Sequence, residues 1–339
     1  MVTLREVAER AGVSIKTVSR IVNDDAAVKA DTRARVQRHI SKLQYVPNNA
    51  ARVMRGAAST VLGFMTDVVA TTPYSVDIVR GAQAALKDTQ QTLLIANSEG
   101  DFQREQELWR LFRAHRVSGV IYASMFHRSY EVGRPGFDKS IVLANCFAAK
   151  GNRPSIIPDD EEGGYRQARY LIELGHRNIV AITLIADLEA TKLRDRGIRR
   201  AFAEAGLSMP ANGILRGVTG HIGGENVVAR EIARKVLSRK NRPSAIICGN
   251  DQLAMSVYAA AASLGLSIPQ DVSVIGFDDL RMISETLYPQ LTTVALPYFE
   301  IGRLAVGLVT SANGDDMDRR QVIRVPCPLV ERQSCRAWT

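Results

Sequence analysis

From Val61 onward the chain alternates short apolar runs with amphipathic stretches, and this alternation restricts the fold more than any other feature. The runs VLGFMT (61–66), TLLIANS (92–98), GVIYAS (119–124), SIVLANC (140–146), NIVAITL (178–184), AIICGN (245–250) and VSVIGFD (272–278) have the length of buried strands. Helices are expected between them, from Val76, Arg104, Gly163, Arg194, Glu225 and Asp251. Such alternation predicts an α/β fold of doubly wound parallel sheets. Ligands of these folds lie beyond the carboxyl ends of the strands. That rule selects Asp67, Asn145, Asn250, Asp251, Asp278 and Asp279, each at or just past a strand end. A purely structural reading stands beside it. Asn250 and Asp251 open the helix DQLAMSVYAAAASLG and suit capping, and Asp278 and Asp279 suit a cap or crossover hydrogen bond. A lone Arg194 suits a surface ion pair.

The first sixth of the chain is of another kind. TLREVAERAGVSIKTVSRIVN (3–23) reads as two short helices about a tight turn. Thr3 with Glu6 forms a capping-box pattern, Leu4, Val7, Ala8 and Ala11 make one apolar stripe, and Gly12 suits a left-handed helix end. Ser14 caps the second helix, whose inward face is Val18, Ile21 and Val22. Its outward residues Ile15, Lys16, Thr17, Ser19 and Arg20 combine cations, hydroxyls and one aliphatic group, a set suited to phosphates and base edges. A helix-turn-helix with the second helix as reader is the expected unit, against an ordinary helical hairpin. Charge favours the first reading. Residues 1 to 56 hold eleven Lys and Arg against five Asp and Glu, so six of the chain's nine net positive charges lie there. Asp31 to Gln44 reads as a third helix, with Val36, Ile40 and Leu43 on one face and Arg33, Arg35, Arg38 and Lys42 around it. Pro47 breaks that helix. Asn48 can cap a short segment, Asn49 to Arg55, which at two turns needs a partner to order.

The 339 residues allow two or three domains, and 46% hydrophobic with 23% charged content suits globular ones. No apolar run reaches a membrane span, and no export signal precedes the first helix. The four cysteines, Cys146, Cys248, Cys327 and Cys335, have no metal spacing and are expected as free thiols in the cytoplasm. No metal or cofactor site is expected.

The N-terminal motif, followed by YVPNNAARVMRG, resembles the lac repressor (LacI/GalR) family of bacterial transcription regulators, and the likeness runs from residue 2 to about 334. It implies a helix-turn-helix domain over 1–46, a hinge helix over 47–60, and a periplasmic-binding-protein-like core over 61–339. The core's N-subdomain would hold about 61–159 and 291–317, and its C-subdomain about 160–290 and 318–339. Double-stranded operator DNA is the implied partner, with the hinge wedging into the central minor-groove step. Ala51 and Met54 fall at the hinge alanine and lever positions; the lever is usually leucine, so Met54 departs from the pattern. Ile15, Lys16 and Arg20 match the specificity positions. Thr3, Ser14, Thr17, Ser19, Asn23 and Asn48 complete the expected DNA-contacting set. In the core, Arg194 to Gly197 matches the R-x-x-G motif, Asn250 to Gln252 the NDQ stretch, and Gly276 to Asp279 the G-[FY]-D-D motif. The implied effector residues are Asp67, Tyr74, Asn145, Arg194, Asn250 and Asp278. The stacking aromatic, five residues before the glycine of a later helix, is replaced by Thr219 before Gly224, with His221 nearby. Carboxylates, an amide and one Arg suit a sugar or sugar derivative. The chain closes without a heptad tail, so a homodimer is expected. Most relatives are repressors released by an inducer, others need a corepressor, and both signs stay open here.

Two other functions are weaker. A transport-type sugar-binding protein leaves residues 1 to 56 without a role. An enzyme would need paired acids, but adjacent strand residues such as Asp278 and Asp279 point to opposite faces, and no P-loop, G-x-S-x-G or Cys/His metal motif occurs. No catalytic residue is therefore expected.

Overall fold

A capping box starts the first helix, α1 (Leu4–Ala11): Thr3 Oγ1 accepts from Glu6 N at 3.3 Å and Glu6 Oε2 accepts from Thr3 N at 2.7 Å. Gly12 ends it at φ 64°, a left-handed conformation that only glycine adopts without strain. Ser14 Oγ then accepts from Thr17 N at 3.1 Å and opens α2 (Ile15–Val22). The third helix, α3 (Ala30–Lys42), closes over both. Val7, Ala8, Ala11, Val18, Ile21, Val36 and Tyr45 form the buried core of this small unit.

The computed structural model describes residues 2–22, 25–46, 59–72, 75–131, 137, 140–210, 212–221, 224–311 and 321–338. They fall in two compact units, Met1–Thr60 and Val61–Thr339. In the second, β1 (Val61–Thr66), α4 (Asp77–Leu86), β2 (Thr92–Asn97), α5 (Phe102–Ala114), β3 (Val120–Ser129), β4 (Ile141–Phe147) and β5 (Ser155–Pro158) come first. There follow α6 (Asp160–Glu173), β6 (Ile179–Thr183), α7 (Glu189–Glu204), β7 (Ile214–Arg216), β8 (Val218–His221), β9 (Gly224–Val227) and α8 (Ala229–Leu237). Then come β10 (Ala245–Cys248), α9 (Asp251–Ser263), β11 (Ser273–Asp278), α10 (Arg281–Ser284), β12 (Thr292–Ala295), α11 (Tyr298–Ser311), β13 (Val322–Val325) and β14 (Leu329–Val330).

Two six-stranded sheets result among the described residues, beside the two-stranded β8–β9 pair. One has the order β13-β5-β4-β3-β1-β2, all parallel; the other β14-β12-β11-β10-β6-β7, parallel except for the β12–β14 pair. Helices bury both faces of each, which is why the strands read as continuous apolar runs. On the first sheet, Leu62, Phe64 and Ile121 pack with Ile78, Ala82 and Ile301 on one side, and Val120 and Tyr122 with Trp109 and Phe112 on the other. The second sheet does the same with α8 and α9 on one face and α6 and α7 on the other.

The chain leaves the first sheet after β5, returns to it with β13, and ends on the second with β14. The expected crossings differ from this in detail. β12, at 292–295, belongs to the second sheet although 291 was expected to begin the return, and β13 belongs to the first although 318 was expected to begin the last crossing. The helix expected from Glu225 starts at Ala229, and Gly224–Val227 instead pairs with β8 as an antiparallel hairpin. Arg194 does not begin a helix but lies within α7.

Candidate functional site

The helix-turn-helix presents Ile15, Lys16 and Arg20 on the outer face of α2, with Ile15 46% exposed although it is aliphatic. Thr17 and Ser19 are half-buried at the edge of that face. Ser14 and Thr17 hydroxyls bond each other at 2.9 Å, and Thr3 is held in its capping box, so these three also serve the helix ends. Arg20 donates through Nε to Asp25 Oδ2 at 2.7 Å, and Asp25 Oδ1 accepts from Ala27 N. The guanidinium is thus held through its inner nitrogen. Asn23, Asn48, Ala51, Met54 and Tyr74 lie outside the described residues.

In the core, the site grows from an irregularity in β3. Ala123 pairs with Ala144 and Arg128 with Cys146, so Ser124, Met125, Phe126 and His127 stand opposite Asn145 alone. This bulge is fastened at its base. Asp67, just past β1, accepts from Ser124 Oγ at 2.8 Å, Met125 N at 3.0 Å and Arg128 Nη2 at 3.2 Å. Asn145 Nδ2 donates to Ser124 O at 2.9 Å and Met125 O at 3.0 Å, with its own backbone at φ 56°. Two residues chosen by the strand-end rule therefore hold a neighbouring strand in shape.

The bulge reaches the second sheet's lobe. Phe126 packs against the cluster of Ile185, Leu188 and Leu253. His127 Nδ1 lies 2.6 Å from Asp160 Oδ2 at the start of α6. Asp160 Oδ1 accepts from Arg194 Nε at 2.7 Å, and Arg194 Nη1 donates to Gly249 O at 2.6 Å and stands 3.7 Å from Asp278 Oδ1. The Arg194 guanidinium lies 3.5 Å over the Phe277 ring. Only 5% of Arg194 is exposed. Burial pushes the Asp160 carboxyl up, but Arg194 and the His127 hydrogen bond outweigh it and hold it below the usual carboxylate range. Burial also works against the Arg194 charge, and Asp160 and Asp278 more than restore it.

Asp278 behaves differently. Burial raises its carboxyl to about 7, with Arg194 opposing the rise and Asp160 adding to it. Its backbone sits at φ 113° and that of Asp279 at 53°, conformations that cost of the order of 1–3 kcal/mol each. Asp279 is anchored by Arg332 at 2.7 Å and by Ser284 at 2.9 Å. Asp251 is buried and accepts from Leu280 N and Thr293 Oγ1, both at 2.7 Å, and burial, then Asp278, pushes its carboxyl well up. Asn250 caps α9 through Leu253 N at 2.9 Å. Asn250 thus caps its helix as the structural reading of the sequence has it, whereas Asp251 and Asp279 are held by Leu280, Thr293, Ser284 and Arg332 and do not cap. Thr219 and His221 lie exposed in the β8–β9 hairpin; Thr219 Oγ1 donates to Asn226 O at 3.4 Å. The glycine from which Thr219 was counted, Gly224, is in β9 and not in a helix.

Sequence reasoning missed His127, Asp160, Phe277 and Tyr298, whose phenol is pushed well up by burial and then by Asp278. Asp160 sits in PDDEEGG, where any acid suits a helix start, so nothing local separates it from the half-buried Glu161 and Glu162.

The raised Asp278 carboxyl has a measurable consequence. In the fold it keeps its proton to about pH 7, whereas unfolded it releases it near 3.8. Between those values unfolding releases a proton, so stability falls as pH rises and levels off above 7. Asp278→Asn is expected to match the parent near pH 4 and to exceed it at pH 8 by up to a few kcal/mol, since each pH unit is worth about 1.4 kcal/mol. Urea unfolding at the two pH values checks this.

Comparison with known proteins gives a consistent neighbourhood. The profile "Bacterial regulatory proteins, lacI family" matches residues 3–48, and "Periplasmic binding protein-like domain" matches 168–335. The Sucrose operon repressor of Escherichia coli is 34% identical over 339 residues, covering 98% of this chain and 100% of the relative. The crystal structure of a LacI-family transcriptional regulator from Rhizobium etli shares 42% identity with a TM-score of 0.76, covering 82% of this chain and 99% of that one. The lac repressor dimer bound to operator and the anti-inducer ONPF superposes with a TM-score of 0.81 at 24% identity over 99% of both chains, a likeness of fold.

Proposed function

The chain belongs to the LacI family of bacterial regulatory proteins, DNA-binding transcriptional repressors that respond to ligands, and on that premise we propose how its residues divide the work. Two copies set α2 into successive major grooves of a near-palindromic operator, about 34–36 Å apart. Lys16 and Arg20 donate to guanine, Ile15 meets a thymine methyl, and Thr3, Ser14, Thr17 and Ser19 take phosphates or base edges. Asn23, Asn48, Ala51 and Met54 extend the contact toward the minor groove, and Met54 wedges where leucine is usual. Residues 1–46 read DNA, 47–60 connect, and 61–339 bind the effector and dimerise. The protein works in the cytoplasm and catalyses no reaction; among the described residues no helix is long and apolar enough to cross a membrane.

The effector is a sugar or sugar derivative, received by Arg194, Asp278 and Asn145, and Asp67, Tyr74, Asn250, Thr219 and His221 contribute to its binding. The observation that carries this reading is the buried Arg194, ringed by Asp160, Asp278 and Gly249 O at the carboxyl ends of the strands. The sucrose relative supports the ligand class. Effector binding shifts operator affinity by a coupling of order 1–3 kcal/mol, about 5–150-fold.

Selection from a random palindromic duplex library, followed by gel shift with and without sugars, tests the whole. The parent is expected to select one operator, to lose affinity linearly with log salt, and to release it with one sugar. Arg20→Ala and Lys16→Ala are each expected to relax one base-pair preference by about 1–3 kcal/mol and to leave the salt slope nearly unchanged. Selection of no sequence at all would sink the reading.

A further inference from the structure

We propose that His127 is an effector-binding residue that forms, with Asn145, a pair of hydrogen-bond acceptors for hydroxyls of an uncharged, polyhydroxylated effector. This rests on the small-molecule reading above and narrows its ligand class. His127 is 4% exposed at the end of the β3 bulge. Its Nδ1 faces Asp160 Oδ2 at 2.6 Å. Asp160 is ionised between two partners and can only accept, so Nδ1 carries the ring proton. With the ring proton on Nδ1, Nε2 keeps its lone pair as an acceptor, and among the described residues it is buried without a hydrogen-bond partner. Asn145 repeats the pattern. Its amide nitrogen is committed to two bulge carbonyls, which fixes Oδ1 as the remaining acceptor, and Oδ1 too is buried without a partner among the described residues.

Buried acceptors left unmatched are costly and rare. Two of them, one at the end of the bulge against Asp160 and one opposite the bulge, mark where a ligand supplies donors. Hydroxyls supply them; carboxylate or phosphate oxygens do not. The nearby cation is not available to offset an anion, because Asp160 already accepts from Arg194 at 2.7 Å. Thr191, one turn before Arg194 on α7, adds a buried hydroxyl with no partner among the described residues, able to give or take.

Calorimetry on the full-length protein tests this, with sucrose, ribose and cellobiose as neutral probes and glucose 6-phosphate and gluconate as charged ones. The parent is expected to bind a neutral sugar and neither anion. His127→Phe keeps the ring edge-on to Phe147 but removes both nitrogens; it is expected to weaken binding of that sugar about 5- to 100-fold. His127→Gln restores an N–H toward Asp160 and a carbonyl toward the ligand, and is expected to recover most of the affinity. The thermal midpoint of each variant is read beside the affinity, and a loss in His127→Phe that His127→Gln recovers separates a ligand contact from a folding role. A deoxy analogue of the bound sugar that loses affinity for the parent but not for His127→Phe identifies the hydroxyl. If the parent binds a neutral sugar and His127→Phe binds it equally, the His127 assignment fails and the effector reading survives. Binding of the anions alone overturns the uncharged effector. If the parent binds none of the five, the saccharide reading itself falls and the assignment with it.

Discussion

Arg194→Ala is expected to abolish the effector response and to cost the core about 3–5 kcal/mol, the usual result of removing one partner of a buried ion pair. The guanidinium lies against Asp160 Oδ1 at 2.7 Å, Gly249 O at 2.6 Å, Asp278 Oδ1 at 3.7 Å and the face of Phe277. Alanine strips all four at once and leaves the fully buried Asp160 carboxylate with His127 alone. The loss is therefore mainly the penalty of an uncompensated charge. Asp160→Asn on top of Arg194→Ala removes that charge, and most of the stability is expected to return while the effector response does not. Denaturant unfolding of the two single variants and the double variant measures the coupling, and gel shift in the cold reads operator binding, expected within a few-fold of the parent. Retention of both stability and sugar release by Arg194→Ala would remove Arg194 from the centre of the site.

The DNA-reading head was open to inspection in the sequence because its signals are local. Thr3 with Glu6, Gly12 and Ser14 each mark a helix end through groups three residues apart or less, and all appear where expected. Long buried strands were equally plain. Strands of two to four residues, such as β7, β8, β9 and β14, carry too few positions for a period of two to stand out, so the β8–β9 hairpin passed for the start of a helix. The strand-end rule located the right edge of each sheet, and with it Asp67, Asn145 and Asp278. It did not tell a residue that meets ligand from one that fastens backbone: Asp67 is engaged by Ser124, Met125 and Arg128, and Asp279 by Ser284 and Arg332. The pairing of His127 with Asp160 spans 33 residues and two sheets, and depends on a bulge that no composition announces.

Gly197→Ala is expected to destabilise the core by about 3 kcal/mol or more and to weaken sugar release, against the direction that helix propensity alone dictates. In a helix interior alanine is favoured over glycine by about 1 kcal/mol. At Gly197 that gain meets a steric wall: a Cβ there would overlap Glu161 O and Tyr165 N, both backbone atoms of α6. Backbone cannot rotate aside, so the two helices must part, and overpacking of this kind costs typically about 1–3 kcal/mol, sometimes more. Gly164 faces Arg194 backbone in the same way from the other side, which makes the α6–α7 crossing a matched pair of glycines. The displacement falls where function is most sensitive. Gly197 is one turn beyond Arg194, and Asp160 opens the helix that would move, so parting α6 from α7 lengthens the 2.7 Å Asp160–Arg194 bond directly. Gly307, exposed in α11 with nothing within 4 Å of a built Cβ, is the control; Gly307→Ala is expected to stabilise by about 0.4–1 kcal/mol. Thermal unfolding of the two variants therefore predicts opposite signs from the same chemical change. Equal shifts in one direction would show that the tight crossing does not set the position of Arg194.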